Sequence, residues 1–157
     1  MFTFSILLVT LTTAAIPLII KRLVHIFPKL PLHPSHWWLP PLAAVCFFVA
    51  FYLPDINISS ETSSFQQHFL GGGVFTALLF IYTAKLLNWK LHWAVVPLAL
   101  FAWVSAFGVA SELLEFTLSH LAIMTIDTSD TDWDLVANTS GAAVTYLVYL
   151  TVRSLRR

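Results

Sequence analysis

The stretch HFLGGGVFTALLFIYTAKLL, residues 68–87, carries the pattern that decides the fold. It is apolar over nearly its whole length and holds one lysine, close to its end. Because a helix rises about 1.5 Å per residue, a stretch of this length crosses a hydrocarbon core of about 30 Å. We therefore predict a transmembrane helix over residues 68–87.

Four further apolar stretches accompany this one, at residues 2–20, 37–53, 91–126 and 134–152. The composition agrees, since 58% of the residues are hydrophobic and 10% are charged, whereas soluble domains carry about 25% charged residues. The stretch 91–126 exceeds one crossing, so residues 116–126 either extend the helix or fold onto the membrane surface. The sequence leaves that choice open.

The charged residues divide the connecting segments into two classes. One class contains all eight basic residues, and the other contains acidic residues only. Because basic loops stay in the cytoplasm, this alternation predicts an external N-terminus, a cytoplasmic C-terminus and five transmembrane helices. The basic residues are Lys21, Arg22, Lys29, Lys85, Lys90, Arg153, Arg156 and Arg157.

The predicted fold is thus an all-α, polytopic membrane helix bundle in which residues 1–157 form a single domain. We expect it in the bacterial inner membrane, with membrane lipids as its immediate partners. The eight basic and eight acidic residues give a formal net charge of zero. That balance provides no general attraction to nucleic acid, so we expect no nucleic-acid partner.

Polar residues collect where the predicted helices meet the external face of the membrane. His68 begins the third helix, Glu112 and Glu115 lie towards the end of the fourth, and Asp134 and Asn138 begin the fifth. The predicted topology places all five at a similar depth. Ionisable groups in such segments usually face the bundle interior or a water-filled cavity, so we predict a shared polar site.

The residue types in this predicted site fit several kinds of chemistry. Carboxylates with a histidine suit a divalent cation, for which His68, Glu115 and Asp134 are the candidate ligands. Two neighbouring carboxyls also suit acid/base catalysis. The glycine run after His68 would let a neighbouring helix or a lipid head group come close, and the polar groups could equally hold helices together by hydrogen bonds. The sequence does not identify a cofactor, and a divalent metal is one possibility.

Three segments resemble motifs of the VanZ-like family of small membrane proteins. That family has a histidine followed by small residues, then Glu-x-x-Gln, then Asp-x-x-x-Asn-x-x-Gly. The corresponding segments here are residues 68–71, 112–115 and 134–141, and Glu115 stands at the glutamine position. The resemblance covers roughly residues 65–150. It implies a helical envelope protein, linked in one branch to low-level glycopeptide resistance, and it implies no established reaction.

Residues 130–134, Asp-Thr-Asp-Trp-Asp, also resemble the Asp-Thr-x-Trp-Asp segment of the related YjdF-type inner-membrane proteins. Asp132, at the variable position of that segment, is a further candidate ligand-binding residue. The arginine that often precedes the aspartate in the VanZ-like family is absent here.

Three functions remain open at this point. The first is an externally facing polar pocket for a lipid-linked or cell-wall ligand, contacted by Gly71, Gly72, Asp132 and Asn138. The second is a membrane-embedded, metal-assisted hydrolase or transferase with His68, Glu112, Glu115 and Asp134 as catalytic residues. The third is a small structural subunit beside a membrane-protein partner.

Overall fold

The computed structural model describes residues 2–53, 65–121 and 131–155, and these residues contain helices and no β-strand. The chain is an all-helical membrane bundle, as predicted. Its helices in chain order are α1 (Phe2–Ile26), α2 (Leu39–Ala50), α3 (Phe65–Leu86), α4 (Val96–His120) and α5 (Thr131–Leu155).

Four of these helices, all except α2, are long and apolar enough to cross a membrane, which makes the chain a multi-pass membrane protein. Helix α2 has only 12 residues, which corresponds to about 18 Å. It is therefore shorter than a hydrocarbon core of about 30 Å. The five-crossing count and the orientation of the termini stay predictions.

The helix ends differ from the predicted ends for local reasons. Helix α1 continues past Lys21 to Ile26, because a long basic side chain can reach the interface while its backbone stays helical. Pro28 follows soon after and disfavours a helical conformation at the preceding residue. Helix α4 begins at Val96, five residues later than predicted, with Pro97 in its first turn, where proline is tolerated.

The sequence left open whether the segment 116–126 extends the fourth helix or folds onto the membrane surface. The structure answers this for part of the segment. Helix α4 continues to His120 and a turn includes Leu121, so this portion extends the helix. Residues 122–126 lie outside the described part of the chain. At 25 residues, α4 is about 37 Å long, which exceeds one hydrocarbon core.

Helix α3 is the central element of the bundle. Half of its most apolar window is buried, against 22% or less for the other three long helices. Its second half forms the core with residues from α2, α4 and α5, whereas α1 packs on α2 alone among the described helices. The helix that decides the fold in the sequence is therefore also the helix on which the others pack.

The first half of α3 is wound more widely than an α-helix. Residues His68–Val74 form a π-helix, in which the Phe75 N–H donates to the carbonyl of Leu70, five residues earlier. Short π segments are rare and frequently accompany functional sites. The wider turn rotates His68 relative to the residues that follow Phe75.

Helices α3 and α5 approach each other at glycine. A Cβ atom placed on Gly73 would overlap the Asn138 carbonyl and lie 2.8 Å from the Gly141 Cα. A Cβ on Gly141 would likewise overlap the Phe69 carbonyl. Small residues allow this kind of backbone contact between membrane helices, and here it brings the first halves of α3 and α5 together.

Candidate functional site

Three ionisable side chains from three helices meet at the end of the bundle where α3 and α5 begin. His68 Nε2 lies 3.3 Å from Asp134 Oδ2. Glu112 joins them, and one ligand atom from each of the three residues lies within 4.8 Å of the others. The three residues are termed the three-helix cluster below. The prediction that they share one level of the bundle is confirmed.

The cluster faces the bundle interior. The side chains of His68 and Asp134 are 18% and 8% exposed, and Glu112 is half-buried. Such placement is expected because ionisable groups facing hydrocarbon are costly. Asp134 also lies in the first turn of α5, where the backbone dipoles favour a carboxylate.

A second layer lies one helical turn from the cluster. It consists of Gly72 on α3, Gly108 on α4 and Asn138 on α5, each four residues from the cluster member on its own helix. A Cβ on Gly72 would overlap the carboxamide oxygen of Asn138, and a Cβ on Gly108 would lie 3.4 Å from the amide nitrogen. The Asn138 carboxamide therefore fills the space that two glycines leave.

Asn138 brings an unsatisfied acceptor to this layer. The residue is 5% exposed, and its Oδ1 has no hydrogen-bond partner among the residues that the structure describes. A buried amide oxygen without a partner costs about 1–3 kcal/mol, so such an atom calls for an explanation. The oxygen packs against Gly72, one turn from the three-helix cluster, so the carboxamide would have to rotate before it could accept a hydrogen bond from a ligand.

Gly72→Ala tests this two-layer arrangement. The new methyl group would displace a side-chain amide and no backbone atom, so we expect the bundle to fold with a loss of about 1 kcal/mol. In an Asn138→Ala background the same substitution should have little effect, because the overlapping atoms are gone. Thermal unfolding of the four proteins of this double-mutant cycle measures the coupling. Additive losses would contradict the proposed contact.

The remaining predicted site residues have varied positions. Gly71 is buried, and a Cβ there would contact Ala50 of α2 at 3.5 Å. Glu115 lies on α4 one turn beyond Glu112, and Asp132 lies in the first turn of α5, but both side chains fall outside the described part of the structure. The predicted metal ligands were His68, Glu115 and Asp134, whereas the described cluster contains Glu112. The binding and catalytic roles of all these residues stay predictions.

The donor set of the cluster defines its chemistry. One imidazole nitrogen and two carboxylate oxygens suit a divalent ion such as zinc or manganese better than calcium or magnesium, which prefer all-oxygen sites. Three protein ligands are also the number typical of metal sites that keep a position open for another ligand. Without a cation, the His68 imidazole contacts the Asp134 carboxylate, as an ion pair when the imidazole is protonated, and the Glu112 carboxylate lies beside them.

None of the three comparisons made for this chain, with protein-family models, with curated proteins and with solved structures, finds a match. The resemblance to VanZ-like proteins therefore stays a prediction that rests on the three short motifs.

Sequence reasoning missed one residue of the site. Gly108 was not singled out, although it lies four residues before Glu112 and so shares a helical face with it. A small residue one turn from an intramembrane carboxylate is a signal that could have been used. Its meaning depends on Asn138, which approaches it from another helix.

Proposed function

We propose that the chain is a bacterial inner-membrane protein that binds a divalent cation at the three-helix cluster and, through the cation, an oxygen-rich group of a cell-envelope ligand. The observation that carries the proposal is the meeting of three donor atoms, from three separate helices, within 4.8 Å of one another. One imidazole can balance only one of the two carboxylates, and a divalent cation would balance both.

The cation and the ligand have separate protein partners in this proposal. His68, Glu112 and Asp134 hold the cation, which when bound would polarise a carbonyl or phosphoryl oxygen. Asn138 lies one turn away, and rotation of its carboxamide would turn a hydrogen-bonding group towards a hydroxyl or amide of the ligand. The position of the cluster on the side predicted to face outward, and the VanZ-like motifs, support an envelope ligand over a cytoplasmic one.

Zinc-dependent stability of the purified, full-length protein tests the proposal. With zinc at roughly 100 times its Kd, we expect the wild-type protein to gain about 2.7 kcal/mol of unfolding free energy over the chelator-treated protein. Glu112→Gln should lose this gain. In chelator the variant should be at least as stable as wild type, because the substitution removes one of two neighbouring carboxylates.

His92→Gln is the matched control, since it removes an exposed imidazole near the opposite end of α4 and should leave the gain unchanged. Equal gains in wild type and Glu112→Gln would contradict the proposal. If Glu112→Gln is instead poorly folded with and without zinc, the cluster holds helices together, and the chain is better explained as a structural subunit.

A further inference from the structure

A groove runs along the outer surface of the bundle between α4 and α5. Its cavity measures about 540 Å³, a size typical of small-molecule sites. Eight of its eleven lining residues have no polar side-chain atom. Representative lining residues are Pro97, Phe101 and Val104 of α4 and Ala143, Tyr146 and Leu150 of α5.

The groove lies in line with the three-helix cluster. Val104, at its near end, is eight residues from Glu112 along α4, and Ala142 is eight residues from Asp134 along α5. Eight residues correspond to about 12 Å of helix. The Asn138 layer lies between, and Thr139, the next residue of α5, lines the groove. Polar site and apolar groove are thus consecutive sections of one helix–helix boundary.

The length and lining of the groove match one kind of occupant. From Ala142 to Leu150 it continues for about another 12 Å away from the cluster, into the apolar part of the membrane-spanning helices. None of its lining residues is ionisable at neutral pH. A bilayer contains no water at this depth, so a surface groove with carbon walls is filled by hydrocarbon chains or by another helix. A polar site in line with the groove, about 12 Å beyond its end, favours a hydrocarbon chain that carries a polar head.

We propose that this groove binds an acyl chain of a membrane lipid whose head group reaches the three-helix cluster. The inference rests on the proposed function and gives it a ligand class, namely a lipid and no water-soluble compound. The head group would meet the cation and Asn138 at membrane-interface depth, and the acyl chain would fix its position by filling the space between α4 and α5.

Photocrosslinking of the full-length protein in nanodiscs provides the test. The probe is a phosphatidylcholine that carries a diazirine in one acyl chain, and the labelled residues are mapped by peptide mass spectrometry. We expect labelling concentrated on groove residues such as Phe101 and Leu147. Ala143→Trp places an indole in the groove from an exposed position and should reduce that labelling by about tenfold.

Ala106→Trp is the matched control, because Ala106 is an exposed alanine of α4 that does not line the groove. It should leave the groove labelling unchanged. Labelling spread evenly over the exposed faces of the helices, or unaffected by Ala143→Trp, would overturn the inference. Absence of groove labelling in nanodiscs that hold two associated copies of the chain would also overturn it, since the occupant would then be a second copy.

Zinc binding measured in the same nanodiscs separates this inference from the function on which it rests. Zinc binding by the wild-type protein without selective groove labelling means that the lipid inference alone is wrong. Selective labelling without zinc binding means that the groove holds a lipid but the cation site is wrong.

Discussion

Gly73→Ala and Gly141→Ala are each expected to destabilise the bundle by about 3 kcal/mol, the upper part of the usual range for overpacking. The added methyl group of either alanine would overlap a backbone carbonyl of the facing helix. A backbone carbonyl cannot rotate away as a side chain can, so helices α3 and α5 would have to separate. Unfolding of the purified variants by SDS titration in mixed micelles measures the loss.

Gly71→Ala is the control for this prediction, because Gly71 is equally buried and lies two residues away on the same helix. A Cβ there would meet its nearest neighbours at 3.5–3.9 Å, which is ordinary contact. We expect this variant to be as stable as wild type or slightly more so, since alanine is the better helix former. Equal destabilisation at Gly71 and Gly73 would show that glycine is needed at these positions for the winding of α3, and not for the close approach of α5.

His68→Leu is expected to lower the unfolding free energy by about 3 kcal/mol in the presence of chelator, as the loss of one partner of a buried ion pair usually does. His68 is the one member of the three-helix cluster that can carry a positive charge. Its removal leaves the carboxylates of Glu112 and Asp134 within 4.8 Å of each other with no imidazole beside them. Thermal or SDS-induced unfolding measures the loss.

A second substitution should rescue this variant. His68→Leu with Glu112→Gln removes the like-charge pair, so we expect the double variant to be more stable than His68→Leu alone. His92→Leu removes an exposed imidazole and should change stability little. A double variant less stable than both single variants would mean that Glu112 and Asp134 do not repel each other, and the charge argument for a cation would fail.

The sequence predicted much of the helical architecture because that information is local. Each predicted span overlaps a helix, since hydropathy over about 20 residues marks a membrane-crossing segment without reference to its neighbours. It also placed His68, Glu112 and Asp134 at one level, because alternating charged loops assign each helix end to a side. The helix ends were less accurate, since they depend on proline positions and on how far basic side chains reach.

That Glu112 belongs to the three-helix cluster could not be predicted in the same way. Glu112 and Glu115 lie on nearly the same face of α4, so helical periodicity does not say which one approaches His68. In the structure Glu112 meets His68 and Asp134, and Gly108, one turn earlier on α4, faces the Asn138 carboxamide. The π-helical turn of α3 adds a rotation that periodicity of 3.6 residues does not include.

By itself, the sequence determined that this protein lies in a membrane, where its helices run approximately, and at which level of the bundle its polar groups lie. Those properties follow from hydropathy and charge, which are summed along the chain. Only the tertiary structure decided that Glu112 joins His68 and Asp134, that Gly73 and Gly141 form a backbone contact, and that an apolar groove lies in line with the site. These properties depend on the rotation and separation of packed helices, and side-chain volumes on two facing surfaces set both.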